Sequence, residues 1–375
     1  MTKNITYFKN LDGWRFLSFL AVFFFHSFHT ENEAVKSDSL YIFITKTLFN
    51  NGNLGVNFFF VLSGFLITYL LLVEKQNGKI NIKYFYLRRI LRIWPLFYFC
   101  VIFGFVIFPY IKAFSGLEST ETANPIMYIL FINNFDFINA GLPDASVLGV
   151  LWSIAIEEQF YLVWPLLISF TRTKNLGAVF GIIILGSIIF RIRNDNHLMH
   201  EHHTLSCMGD LAIGGMGAWL TISSTRVKKY ITNIKVHWIY LIYVLAILIF
   251  FFRKEILIAN DLIRPFDRII VSLVFLFIII EQNFANNSFY KMNNFKLISR
   301  LGKYTYGLYS LHFIGILIAI QVSNYMYVSN SIIQVIIIDT LIALMVSILI
   351  SWISYKYLES PFLRLKNKFS IFTNK

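Results

Sequence analysis

Residues 11–30 read LDGWRFLSFLAVFFFHSFHT, an apolar run of the length that crosses a bilayer, interrupted by Arg15 and His26. Charged or titratable side chains are rare in lipid and face protein or a water-filled cavity, so the pair points to function. Eleven helical residues at about 100° each leave Arg15 and His26 within about 20° of each other on one face. At about 1.5 Å of rise per residue they stand about 16 Å apart, roughly half the hydrocarbon thickness. One polar stripe therefore runs from a membrane surface towards the middle. Other helices have to close over it.

The rest of the chain supplies them. Of 375 residues, 57% are hydrophobic and 14% charged, a composition that excludes an ordinary soluble domain. Ten apolar segments are long enough to cross, or nearly so: 11–28, 54–73, 90–111, 151–170, 176–190, 205–222, 236–252, 269–284, 304–322 and 332–355. The fold expected is an all-α integral membrane protein of about ten transmembrane helices, one membrane-embedded domain over residues 1–375. An eleventh segment, Pro125 to Phe137, is short and holds Asn133, Asn134 and Asp136, and reads as a re-entrant or interfacial piece lining a cavity. A net charge of +13 invites nucleic acid as a partner. With both termini cytoplasmic, however, most of the 33 Lys and Arg fall in inner loops, so the charge is a topology signal and no nucleic acid is expected. The first segment has no small-residue cleavage site and reads as a retained span. Cys100 and Cys207 lie in apolar runs and imply no disulfide framework.

Orientation puts Arg15 at the cytoplasmic edge and His26 deeper, towards the outer half. On the same inner side, residues 83–97 read KYFYLRRILRIWPLF. Arg88 and Arg89 lie four and three residues before Arg92, so a helix offers a fork of guanidiniums suited to phosphate. The alternative is a topology signal in contact with anionic lipid headgroups. In LWSIAIEEQFYLVWP, residues 151–165, Ser153, Glu157 and Tyr161 share one helical face while Glu158 points elsewhere. An intramembrane carboxylate is functional by default, or else a buried partner for an arginine. His26 is the natural general base near neutral pH, or a core imidazole; His312 carries the same two readings. Residues 195–203, DNHLMHEHH, could bind Zn²⁺, but without a helical frame or ligand spacing they read as a solvated outer loop, and no metal site is expected.

With these motifs the sequence resembles the acyltransferase-3 family of ten-span membrane acyltransferases that decorate extracytoplasmic glycans. LDGWR with Arg15 and His26, GVNFFFVLSGFLIT, RRILRIWPLF, LWSIAIEEQFYLVWP, GDLAIGG, LGKYTYGLYSLHF and YKYLESPF follow in the family's order. The resemblance implies His26, Glu157 and Glu359 as catalytic candidates and Arg15, Arg88, Arg89 and Arg92 as donor-binding. Asn57, Ser63, Trp152, Ser153, Tyr161, Asp210 and His312 would support them. Asn57 stands where many members have Asp, and Met208 where Arg is frequent. The fused C-terminal esterase-like domain of some members has no counterpart in these residues.

The function implied is transfer of an acyl group, acetyl first among them, from cytoplasmic acyl-CoA to a hydroxyl of an extracytoplasmic glycan. Surface polysaccharide, O-antigen, capsule and exopolysaccharide are examples of such acceptors. Acetyl-CoA is then a co-substrate, with no tightly bound cofactor. The partners are a glycan or lipid-linked glycan and membrane lipid, and the place is the bacterial cytoplasmic membrane. His26 acts as general base or as transient acyl carrier. The rival readings are a glycan or lipid transporter, for which no paired half-repeat is visible, and a membrane sensor. Oligomeric state is left open.

Overall fold

The computed structural model describes residues 7–114, 116–325 and 331–369. Among them there is no strand, and ten long helices follow the ten apolar segments in order. They are α1 (Asn10–Ser27), α2 (Leu54–Gln76), α3 (Ile82–Phe114), α4 (Ser146–Phe170), α5 (Thr173–Arg193), α6 (His197–Ser223), α7 (Val236–Ile258), α8 (Asp267–Phe284), α9 (Lys296–Ser323) and α10 (Gln334–Phe369). Seven of these, α2 to α6, α9 and α10, are long and apolar enough to cross a membrane. An eighth qualifies if α7 is counted with Thr225–Thr232, from which it is bent by 86°. The remaining two, α1 and α8, have 18 residues each but carry Asp12, Arg15 and His26 in one and Asp267, Arg268 and Glu281 in the other. Those polar groups, turned inward, separate seven plainly apolar helices from the ten crossings read in the sequence.

Helix packing is close between α2 and α6. A Cβ on Gly64 would lie 2.0 Å from the Leu211 carbonyl oxygen, and one on Gly214 would lie 2.0 Å from that of Val61. Small residues let backbones approach where lipid supplies no hydrophobic drive. The main core is aromatic and aliphatic, with Phe19 and Phe23 of α1, Leu96 and Phe97 of α3, Ile156 of α4 and Leu308 and Leu311 of α9 all fully buried. Within α3, Pro95 is accommodated inside the helix and a π-turn over Phe103–Ile107 follows. Such insertions are ordinary bending points of long helices.

The eleventh segment does not cross. It forms two short helices, Pro125–Ile129 and Asn133–Ala140, broken at Phe131, whose φ of 55° is positive. Gln159 of α4 satisfies the break by donating from Nε2 to the Phe131 carbonyl and to Asn134 Oδ1, both at 2.8 Å. Asn133, Asn134 and Asp136 are buried.

The reading of residues 195–203 as a solvated loop is corrected. His197–His202 is helical, capped by Asn196, and His200 and Glu201 are buried. Glu201 folds inward because it pairs with Arg253 and Arg268. Among the described residues no three His, Cys, Asp or Glu side chains are grouped to hold a metal ion.

Candidate active site

Three polar constellations lie inside the bundle. The first is basic. On α1, Arg15 pairs at 2.5 Å with Asp12, which also receives the Tyr7 hydroxyl. On α3 the three arginines diverge. Arg88 donates to Glu74 at 2.6 Å and to the Phe369 carbonyl at 3.0 Å. Arg89 lies against the rings of Phe85 and Tyr161, at 5.6 and 5.5 Å. Arg92 is exposed and makes no hydrogen bond or ion pair among the described residues. Its charge reaches Arg15, Glu157 and Glu359, and Lys366 stands near all three α3 arginines. The fork read in the sequence is therefore uneven: Arg88 is occupied and Arg92 is free.

Around this group sit the acids. The Ser153, Glu157 and Tyr161 face of α4 is as read. Tyr161 donates to Glu157 Oε2 at 2.9 Å and shares a 2.5 Å hydrogen bond with Ser63. Glu158 points elsewhere, accepting from Trp94 Nε1 at 3.2 Å. Glu359 accepts from Ser354 Oγ at 3.3 Å. One step along the α4 face, Ser153 and the Tyr309 hydroxyl are 2.7 Å apart.

Tyr309 leads to the second constellation, two facing imidazoles. The His312 Nδ1 is 2.8 Å from the Tyr309 carbonyl, and the His312 ring centroid is 5.4 Å from that of His26. Phe19, Phe23 and Phe313 surround the pair. A face of polar groups thus passes from Tyr161 and Glu157 through Ser153 and Tyr309 to His312 and His26. On α1 itself, buried Phe19 and Val22 fill the stripe between Arg15 and His26.

The third constellation is a buried ionic cluster that the sequence reading did not find. Arg191 pairs with Asp267, Arg253 with Asp267 and Glu201, and Arg268 with Glu201 and Asp210. Asp210 also accepts from Ser272 at 2.9 Å and from Asn57 at 3.1 Å. An amide at 57 donates to Asp210 where a carboxylate would repel it, and Arg268 pairs with the same Asp210. Asn57 and Asp210 belong to this cluster and not to the imidazole pair. Trp152 packs on His202 at 4.4 Å, at the cluster's edge.

The fold and these sites define a helical membrane protein with an accessible guanidinium group, inward-facing acids and hydroxyls, and a pair of facing histidines. Residues 8–356 match the profile of the acyltransferase-3 family, described as an acyltransferase domain, and the chain belongs to that family. It is 27% identical over 376 residues to the O-acetyltransferase OatA of Staphylococcus aureus strain NCTC 8325, covering 95% of this chain and 57% of that one. It is likewise 27% identical over 382 residues to a putative O-acetyltransferase of Staphylococcus aureus strain COL, covering 96% and 58%. The chain thus spans a little over half the length of these curated relatives. No solved structure matches it.

Proposed function

We propose that the chain is a membrane O-acyltransferase that takes an acyl group from cytoplasmic acyl-CoA, acetyl-CoA first, and places it on a hydroxyl of an extracytoplasmic glycan. The observation that carries this is the row of polar side chains, Tyr161, Glu157, Ser153 and Tyr309, that lies between Arg89 and the His26–His312 pair. Arg92 and Arg15, with Arg89 behind them, would hold the phosphates of the donor, since guanidinium binds phosphate bidentately and stays charged. His26 would take the proton of the acceptor hydroxyl as its oxygen attacks the thioester carbonyl, and return it to the leaving thiolate. Glu157 and Glu359 would balance the arginines between donors. The acceptor would be a free or lipid-linked glycan, and the site of action the bacterial cytoplasmic membrane. The O-acetyltransferase names of the relatives support the class. The test is mass spectrometry of envelope glycan from cells with and without the chain. A loss of one acetyl per modified sugar supports the reading, and an unchanged glycan with no thiol released from acetyl-CoA by the purified chain removes it.

The topology belonging to this reading is ten crossings with both termini cytoplasmic. Reporter fusions after Asn175 and Lys229 should then read cytoplasmic and one after Asn196 external. An external signal at Asn175 would overturn it.

The arginines should separate on substitution. Arg92→Ala removes a free phosphate ligand, and a charge-assisted contact is worth about 1.5–3 kcal/mol, so KM for acetyl-CoA should rise about tenfold or more with expression unchanged. Arg88→Ala leaves buried Glu74 without its partner and should reduce the amount of folded protein first. Equal KM effects with equal expression would show that the ion pair with Glu74 does not hold Arg88 back from the donor.

A further inference from the structure

His312 is fully buried, and its Nδ1 faces the Tyr309 carbonyl at 2.8 Å. A carbonyl only accepts, so Nδ1 carries the proton and Nε2 is left as an acceptor. That Nε2 is buried and has no hydrogen-bond partner. Buried acceptors are nearly always paired, so this one calls for an explanation. The rings of Phe19, Phe23 and Phe313 offer it nothing. The Tyr309 hydroxyl is engaged with Ser153 and the Val150 carbonyl, and Ser347 Oγ donates to backbone carbonyls. Facing it is His26, its ring 5.4 Å away and tilted by 34°, which makes no hydrogen bond of its own among the described residues. The χ2 torsion of histidine is broad, and hydrogen bonds between catalytic partners are often long until substrates are bound.

We propose that His312 is the positioning residue of His26: its Nε2 accepts an N–H from the His26 ring and so presents the other His26 nitrogen as a lone pair to the acceptor hydroxyl. This rests on the acyl-transfer reading above. In the reaction the hydroxyl proton passes to that lone pair, the hydroxyl oxygen bonds to the acyl carbon, the carbon–sulfur bond breaks, and the thiolate takes the proton back. His312 gains no proton. It holds the tautomer and, as an acceptor, steadies the imidazolium formed midway, the part a third group plays behind a catalytic base.

The experiment uses the full chain in membrane vesicles, with acetyl-CoA and envelope glycan isolated from cells lacking the chain, and measures ester acetate formed. His312→Gln places an amide oxygen near the Nε2 position and should keep kcat within about tenfold of wild type. His312→Asn, whose amide reaches only the Nδ1 position, and His312→Phe should lower kcat by about 10²-fold or more with KM for acetyl-CoA unchanged. A structural role would not favour Gln over Asn. Asn as active as Gln, or His312→Phe within threefold of wild type, overturns the proposal. Should His312→Phe not reach the membrane, the Gln and Asn pair decides. The failures are distinguishable: if His26→Gln is inactive and His312→Asn is active, only the pairing falls, whereas an active His26→Gln removes the base as well.

Discussion

His26→Gln is expected to insert and fold as the wild type does and to lose acyl transfer by at least the 10²–10⁴-fold typical of a missing general base. Glutamine keeps a hydrogen-bonding tip but cannot take up a proton near neutral pH, so it separates shape from chemistry. Folding should survive because the His26 ring makes only ring contacts, to Phe25, His312 and Phe313, and no hydrogen bond whose partner would be orphaned among the described residues. KM for acetyl-CoA should stay near wild type, since Arg15 lies about 16 Å away along α1 and the other arginines that would hold the donor are on α3. Ester acetate measured in vesicles, with thiol release from acetyl-CoA as a second readout, checks both statements. Near-normal transfer by His26→Gln would make His26 structural and end the mechanism. An acyl adduct trapped on His26 in the absence of acceptor would show it to be a carrier instead of a base.

The parts of this arrangement that could be read in the sequence are those set by a single helix. The Ser153, Glu157, Tyr161 face follows from residue spacing alone and is present, and Arg15 and His26 do share one helix, but the stripe between them is filled by buried Phe19 and Val22. What each arginine of α3 points at depends on other helices. Arg88 is drawn to Glu74 of α2, a residue that reads as the polar end of a span, while Arg92 has no ion pair among the described residues. The near pair Asp12 and Arg15 was legible as i, i+3 inside the LDGWR motif, yet Asp12 passes unnoticed there. The ionic cluster was hidden for a different reason. Arg191, Arg253, Asp267 and Arg268 flank apolar segments and so look like loop charges. Of these, Arg253 sits directly after the break of α7 at Phe252, where φ is −123° and ψ is 23°, before the π-turn over Lys254–Ile258. No periodicity encodes that break.

That cluster carries the largest effect on stability. Arg191, Arg253 and Arg268 face Asp267, Glu201 and Asp210, so the charges balance, and Arg268 and Asp210 are 1% and 0% exposed. Arg268→Met keeps length and removes the charge, leaving Asp210 with only Ser272 and Asn57 and Glu201 with only Arg253 among these partners. Breaking a buried pair from one side costs about 3–5 kcal/mol, because the remaining charge stays desolvated. Against a total stability of about 5–15 kcal/mol, this should markedly lower the temperature at which the detergent-solubilised protein loses its monodisperse profile. Removing the second charge tests the cause. The double variant Arg268→Met, Asp210→Asn is again neutral, and Asn at 210 can accept from Asn57 through its Oδ1 while its Nδ2 donates to the Ser272 hydroxyl. It should therefore recover much of the loss, giving a coupling energy well above the roughly 0.3–0.5 kcal/mol of independent sites. Should Arg268→Met melt as the wild type does, the cluster would not hold α6, α8 and the inward turn of α7 together. Additive losses in the double variant would instead place the cost of Arg268→Met in packing and not in an unpaired charge.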